Sequence, residues 1–188
     1  SLRLESVNNV PVMDSGVWLE LPADEQAMRL ALASLGESTF DTCVIAEAES
    51  ILPSLKYQLA GDEDIGRLNT LAGKIQAFPD RRTLVKYKAV LELEVCNDLD
   101  MQLDIAENLD CYDYDPIILS PEAYAEYVLK EADFDVNDPA FSRFDFKGYG
   151  ERYLQGNGFV ATPYGSIARN EKPFVPEYTR PTPGMTMQ

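Results

Sequence analysis

The N-terminal third of the chain alternates between short apolar segments and turn residues. Residues 2–7, 17–21 and 42–46 are short segments of alternating or mainly apolar side chains, which predict three strands. Residues 24–35 predict a helix, because the segment starts with Asp24 as a potential N-cap and Gly36 follows it. We therefore expect residues 1–61 to form a small α+β unit in which one helix covers one face of an antiparallel sheet.

The next section changes to helical spacing. Apolar residues recur at steps of three and four over residues 65–78, and again over residues 80–94 after a proline. Asp98 is a good N-cap for a third helix. These segments predict a helical middle unit over residues 62–108.

The C-terminal part of the chain, from residue 109 onward, contains patterns typical of helices and of a hairpin. Ser120-Pro121 is a strong helix start, since serine caps the helix and proline fits its first position. A short aromatic-rich helix is predicted over residues 144–154 and a hairpin over residues 158–169. Residues 109–169 thus predict a C-terminal α+β unit. Residues 170–188 form a proline-rich tail that either hangs free or lies across a neighbouring surface.

Charge is concentrated in one part of this pattern. The chain has 32 acidic and 16 basic residues, and a net charge of −16. Residues 92–138 alone contain fifteen acids and one base, Lys130, so the other residues are close to neutral. Apolar side chains are interspersed throughout these residues, unlike in a disordered acidic tail. We call residues 92–138 the acidic stretch, and we expect it to fold with its carboxylates on the surface.

Several classes of protein are excluded or disfavoured by the composition. The chain has no histidine, so a Ser-His-Asp or Cys-His nucleophile and a zinc site with histidine ligands are excluded. Its three cysteines, Cys43, Cys96 and Cys111, form no CxxC pair, and we expect buried free thiols. The sequence has no apolar run near the ~20 residues of a membrane span, and its first residues lack a signal-peptide pattern. We expect a cytoplasmic protein.

Calcium binding and catalysis are two functions that an acidic stretch can serve. EF-hand loops starting at Asp98 or Asp133 lack both the glycine at position six and the glutamate at position twelve. A metal-dependent enzyme with a carboxylate pair stays an alternative, although among so many acids a pair can always be chosen. Gly148-Tyr-Gly150 predicts a turn and no phosphate-binding loop. We expect no catalytic residue, no metal ligand and no cofactor.

Acidic residues can also form a merely solvated face or a surface that imitates nucleic acid. Acids three or four residues apart on a helix lie ~5–6 Å from each other, comparable to successive phosphates on one DNA strand. Two predicted helices contain acids at this spacing. Because a negative surface attracts basic ones, the expected partner is a positively charged protein. The candidate partner-binding acids are Asp98, Asp100, Asp104, Glu107, Asp110, Asp113, Asp115, Glu122, Glu126, Glu131, Asp133 and Asp135.

A series of sequence phrases, taken in order, resembles one known family. The phrases are Ile65-Gly-Arg-Leu-Asn-Thr-Leu71, Phe78-Pro79, Asn108-Leu-Asp-Cys111, Ala125-Glu-Tyr-Val-Leu-Lys-Glu131, Phe144-Asp-Phe-Lys-Gly-Tyr-Gly-Glu-Arg152, Gly158-Phe-Val-Ala-Thr162 and Tyr164-Gly-Ser-Ile167. Their order and spacing are similar to those of the antirestriction protein ArdA family. The resemblance covers about residues 1–169 and is strongest from residue 62 onward.

The resemblance implies a specific function. ArdA proteins are elongated, non-enzymatic DNA mimics of mobile genetic elements, built from three small units. They form homodimers and occupy the DNA-binding groove of type I restriction-modification enzymes. We therefore expect a cytoplasmic, homodimeric antirestriction protein that binds neither nucleic acid nor membranes. The alternatives are an acidic binding or regulatory protein for another basic DNA-binding partner and, less favoured, the metal-dependent enzyme.

Overall fold

The computed structural model describes residues 1–8, 16–52, 62–96 and 98–179. In this part of the chain there are six α-helices and two three-stranded antiparallel sheets, which confirms the predicted α+β class. The chain divides into two compact units. The first unit comprises residues 1–78, 97–106 and 177–188, and the second comprises residues 79–96 and 107–176. The expected arrangement of three units and a tail stays a prediction.

The sheet of the first unit is built from the three predicted strands. β1 (Leu2–Ser6) lies between β2 (Val17–Leu19) and β3 (Cys43–Ala48), and both pairings are antiparallel. Alternate side chains of β1 are buried, among them Leu2 and Leu4, while those between them stay partly exposed. This is the period of two that a half-buried strand requires.

The first helix, α1 (Glu25–Leu35), contacts β2 and has the predicted ends. The Asp24 carboxylate accepts a hydrogen bond from the backbone N of Ala27 at 2.7 Å. Gly36 follows the helix with a φ of 72°, a left-handed conformation that glycine adopts without steric cost. A 3₁₀ turn, Phe40–Thr42, leads into β3.

Helix α2 (Asp62–Gln76) and all but the last residue of α4 (Leu99–Glu107) belong to the first unit. The side chain of Asn69 on α2 bonds both the N and the O of Ala23, at 2.6 and 3.0 Å. This amide therefore ties α2 to the chain just before α1. The buried apolar side chains of the two helices are Ile65, Leu68, Leu71, Leu99, Leu103 and Ile105.

The second unit contains the other sheet, in which β6 (Gly165–Arg169) is the central strand. β4 (Tyr112–Asp115) and β5 (Val160–Thr162) flank it, and α3 (Arg81–Leu93) contacts both β5 and β6. The β5–β6 hairpin confirms the prediction. No strand was predicted at β4, which follows a 3₁₀ turn at Leu109–Cys111.

Helices α5 (Pro121–Glu131) and α6 (Phe146–Gly156) pack closely against each other in the second unit. Ser120 caps α5 as predicted, since its Oγ accepts from the N of Ala123 at 3.2 Å. A Cβ atom at position 150 would lie 1.8 Å from the carbonyl oxygen of Pro121. The helix predicted over residues 144–154 is confirmed as α6, and the turn predicted at Gly148-Tyr-Gly150 is wrong, because both glycines lie inside this helix.

Aromatic rings form a small satellite core beneath the segment that joins α5 to α6. This segment contains a 3₁₀ helix, Pro139–Arg143. The ring of Phe144 lies 5.4 Å from that of Phe141, 4.9 Å from that of Phe146 and 5.3 Å from that of Tyr149. These half-buried rings contact one another, so the segment has a hydrophobic cluster of its own.

The structure also tests two expectations from the composition, buried free thiols and the lack of a membrane span. Cys43, Cys96 and Cys111 are buried and form no disulfide, which confirms the predicted buried thiols. In the described ranges, no helix is both long enough and apolar enough to cross a membrane.

Replacing Gly150 by alanine tests the contact between α5 and α6. The new methyl group would clash with the Pro121 backbone, so we expect G150A to lower the free energy of unfolding by about 1–3 kcal/mol. Gly156 lies in the same helix with open space around it. G156A is therefore the control, and we expect no loss and a gain of up to about 1 kcal/mol. Urea denaturation measures both variants. Equal effects would contradict the proposed close packing.

Candidate acidic binding surface

The twelve candidate acids lie on helices, strand β4 and turns, and differ in exposure. Eight are exposed, three are half-buried and one is buried. The exposed ones are Asp98, Glu107, Asp110, Asp113, Glu126, Glu131, Asp133 and Asp135. The half-buried ones are Asp100, Asp115 and Glu122, and the buried one is Asp104.

The candidate acids are divided between the two units. Asp98, Asp100 and Asp104 belong to the first unit, and the other nine belong to the second. The twelve acids are close together in the sequence but do not all belong to the same compact unit. A single acidic surface that includes all of them stays a prediction.

Three of the candidate aspartates cap backbone N–H groups. Asp98 accepts from Met101 N at the start of α4, at 2.9 Å. Asp115 accepts from the N of Ile117 and Asp135 from that of Asn137, each two residues ahead, at 2.9 and 3.0 Å. A capping carboxylate keeps its negative charge while the backbone fixes its position. These aspartates therefore have a local structural role as well as a charge.

A second group of candidate acids has cationic or amide partners. Asp100 pairs with Arg67 at 3.2 Å, Asp110 with Lys172 at 3.3 Å and Glu126 with Lys130 at 3.2 Å. Asp113 accepts from the side-chain amide of Asn170 at 3.1 Å. Surface ion pairs of this kind contribute about 0–1 kcal/mol each. They reduce the local repulsion but can open when a more basic surface approaches.

Of the twelve candidate acids, those without a described partner belong to the second unit. Among the residues that the structure describes, Glu122, Glu131 and Asp133 have neither an ion-pair partner nor a side-chain hydrogen bond. Glu122 lies in the first turn of α5 and Glu131 is its last residue. Asp133 follows with a φ of 62°. A basic partner would therefore meet no competing contact from the described chain at these three carboxylates.

The expected surface position of Asp104 is wrong. Its side chain is fully buried, and its Oδ1 accepts from the N of Glu177 and Tyr178 at 2.6 and 2.9 Å. Its Oδ2 accepts from the N and Oγ1 of Thr179 at 3.0 and 2.6 Å. The described end of the tail thus lies across α4 instead of hanging free. Asp100, Asp104 and Glu107 are acids of α4 at the helical spacing considered for DNA mimicry, and this set consequently lacks its middle charge at the surface.

Hydrogen bonds keep the Asp104 carboxyl ionised in spite of its burial. Burial by itself raises the pKa of this group, but the bonds from Thr179, Tyr178 and Glu177 outweigh it and hold the pKa below its ordinary value. The charge is therefore matched by donors of its own chain. It serves the fold and is not presented to a partner.

Glu94 also lies in the acidic stretch, and its charge is balanced within the second unit. Its Oε1 accepts from the phenol of Tyr112 at 3.0 Å and from Nε of Arg169 at 2.7 Å. Burial, reinforced by Glu94, raises the pKa of the Tyr112 hydroxyl, which stays protonated and donates this bond. These contacts join the end of α3 to β4 and β6.

The first unit has an excess of negative charge, most of it on residues outside the acidic stretch. Its segments contain sixteen acids and six bases, for a net charge of −10, while the second unit has sixteen acids and ten bases, for a net charge of −6. The basic residues of α3 explain the difference, because they belong to the unit that contains most of the stretch. The net charge of each unit, unlike the charge along the sequence, shows the excess of acids in the first unit.

The carboxylates do not converge on a single point in the described residues. Within these ranges no group of three or more histidine, cysteine, aspartate or glutamate side chains is arranged to hold a metal ion. What the arrangement offers chemically is a set of separated, fixed negative charges. Such a set suits electrostatic recognition of a basic surface.

Replacing Asp104 by asparagine tests its structural role. In D104N an amide N–H group replaces the oxygen that accepts from Thr179, so we expect a loss of about 1.5–3 kcal/mol in the free energy of unfolding. E131Q removes one charge without a described partner and is the control, with a change of less than about 0.5 kcal/mol.

The difference between wild type and D104N also depends on pH. The folded pKa is below the unfolded value of about 3.9, so the stabilisation is complete above that value and disappears as pH falls through the folded pKa. Urea denaturation at several pH values should show a constant difference at neutral pH that shrinks in acid. A difference that grew in acid would contradict the ionised, hydrogen-bonded carboxylate.

Comparison with known proteins does not assign a family to this chain. No protein-family model matches the sequence, and no curated protein matches it. The similarity to the ArdA family therefore rests on the sequence phrases alone.

Proposed function

We propose that this chain is an antirestriction protein, an acidic DNA mimic that occupies the DNA-binding groove of a type I restriction-modification enzyme. The proposal combines the sequence resemblance with the exposed carboxylates of the acidic stretch. It involves no catalysis and no cofactor. Inhibition would follow from competition, because the enzyme cannot hold this protein and duplex DNA in the same groove.

The observation that carries the proposal is the exposure of eight of the twelve candidate acids on folded elements. A groove that binds DNA presents lysine and arginine side chains to phosphates. Carboxylates fixed by helices and turns can satisfy the same side chains. They present no base edges, so binding would not depend on a DNA sequence.

Binding energy is expected to be distributed over many weak contacts. Each exposed carboxylate contributes little by itself, because water and salt screen it. A homodimer, as the resemblance implies, would double the number of contacts through a two-fold axis. Sedimentation equilibrium would detect this dimer.

An acidic regulator of another basic DNA-binding protein would use the same exposed carboxylates. The two functions differ in which protein is bound. A competition experiment with a purified type I enzyme therefore separates them.

Neutralising several carboxylates of the acidic stretch tests the distributed surface. We expect single changes to weaken inhibition less than about fivefold. Replacing Glu107, Asp113, Glu122, Glu126, Glu131 and Asp133 together by their amides should weaken it at least about a hundredfold. An endonuclease assay measures the inhibition constant. If one single change abolished inhibition, a localised site would explain the activity better.

The control for this variant removes the same number of charges elsewhere. Amide substitutions at Glu20, Glu25, Asp41, Glu47, Glu49 and Glu177 change six exposed acids of the first unit. Both variants have the same net charge. Equal losses would show that overall charge, and not the acidic stretch, determines inhibition.

Displacement of DNA tests the identity of the partner. The protein should displace a labelled duplex from a purified type I enzyme, and its affinity should fall steeply as salt rises from about 50 to 200 mM. Fluorescence anisotropy measures both. Failure to displace the duplex at low salt would reject the restriction enzyme as partner and leave the second candidate.

A further inference from the structure

The second unit contains a polar cleft between α3 and β4. Its volume is about 390 Å³, within the usual range for small-molecule sites. Arg82, Thr83 and Lys86 line it from α3, and Tyr112, Asp113 and Tyr114 line it from β4. Asp80, the N-cap of α3, completes the lining. The cleft lies wholly within one compact unit.

Two cations in this cleft lack an ionic partner among the described residues. Arg82 is exposed and Lys86 is half-buried, and their spacing of four residues places them on one face of α3. Neither forms an ion pair with any residue of the described chain. Their N–H donors are available to an anion.

Two carboxylates of the lining, Asp80 and Asp113, and the nearby Asp110 are engaged with other donors. Asp80 accepts from the N and Oγ1 of Thr83 at 2.7 and 2.8 Å, and it caps α3. Asp113 accepts from Asn170, and Asp110 pairs with Lys172. These charges moderate the field of the cleft but do not satisfy Arg82 or Lys86. Burial lowers the pKa of Lys86, and Asp113 and Asp110 partly offset this effect.

Hydrogen bonds to other residues of the second unit fix the two tyrosines that line the cleft. The Tyr112 hydroxyl donates to Glu94 at 3.0 Å, and the Tyr114 hydroxyl donates to the carbonyl oxygen of Tyr164 at 2.7 Å. The two rings are therefore fixed in position. Their hydroxyl groups already donate hydrogen bonds within the protein and cannot donate the same proton to a ligand. The side-chain cations of α3 are therefore the groups that can donate hydrogen bonds to a ligand in the cleft.

We propose that this cleft binds a small phosphorylated molecule whose phosphate group contacts Arg82 and Lys86. Arginine and lysine together are suited to a phosphate dianion, since arginine offers a fork of donors and lysine a point charge. A long polyanion would meet the exposed acids of the same unit. A small ligand is affected mainly by charges within a screening length of about 10 Å. This site is independent of the proposed antirestriction function.

Isothermal titration of the full chain at an ionic strength of about 0.1 M, where the screening length is about 10 Å, tests the proposal. The probes are inorganic phosphate and adenosine 5′-monophosphate. We expect saturable binding at millimolar or lower concentration, weakened at least about tenfold in R82A/K86A. Tighter binding of the nucleotide would indicate a phosphorylated organic ligand, and equal binding would indicate free phosphate. Thermal unfolding checks that the variant is folded.

Two further variants separate the cleft from overall charge. R143A/K147A removes two exposed cations of the same unit outside the cleft, and it should bind the probes like wild type. R82K/K86R keeps both charges and should retain binding within a few-fold, even if the alanine variant does not fold. Absence of saturable binding by wild type, or equal loss in R143A/K147A, would overturn the proposal. Equally tight binding of duplex DNA through Arg82 and Lys86 would overturn the assignment to a small ligand.

Discussion

Mutual repulsion between carboxylates is the constraint to which this fold responds. Fifteen acids within residues 92–138 oppose compaction, and only one base in the same residues relieves them. The structure reduces this repulsion in three ways. Asp98 and similar residues accept bonds from backbone N–H groups, Asp110 pairs with the distant Lys172, and Asp104 is enclosed by the N–H groups of the tail. Each way uses donors from the chain itself.

Aspartate suits the first of these ways. Nine of the fifteen acids are aspartates, and the short side chains of Asp98, Asp115 and Asp135 reach backbone N–H groups two or three residues ahead. Asp138 and Asp145 do the same as the candidate acids, bonding Ala140 N at 2.7 Å and Gly148 N at 2.9 Å. Part of the acid density thus has a structural cause, and the function need not explain all of it.

Local signals predicted the helices well, and long-range contacts account for what they missed. The starts of α1 and α5 were predicted because their caps, Asp24 and Ser120, act only on neighbouring residues. β4 was missed because its pairing with β6 joins segments far apart in the sequence. Asp104 was placed at the surface because the donors that bury it come 73 to 75 residues later. For the candidate site, the sequence predicted which residues carry charge but not which charges are already satisfied.

The difference between fixed and mobile carboxylates bears on how a partner could be recognised. A carboxylate held by a backbone N–H group loses little side-chain entropy on binding, so it favours a partner whose cations fit its position. It equally disfavours a partner whose cations do not fit. Glu122 and Glu131 on α5 have no such restraint in the described structure, so they can adjust to a basic surface at a greater entropic cost. Selectivity is therefore expected to depend on the capped aspartates, and tolerance of small misfits on the glutamates.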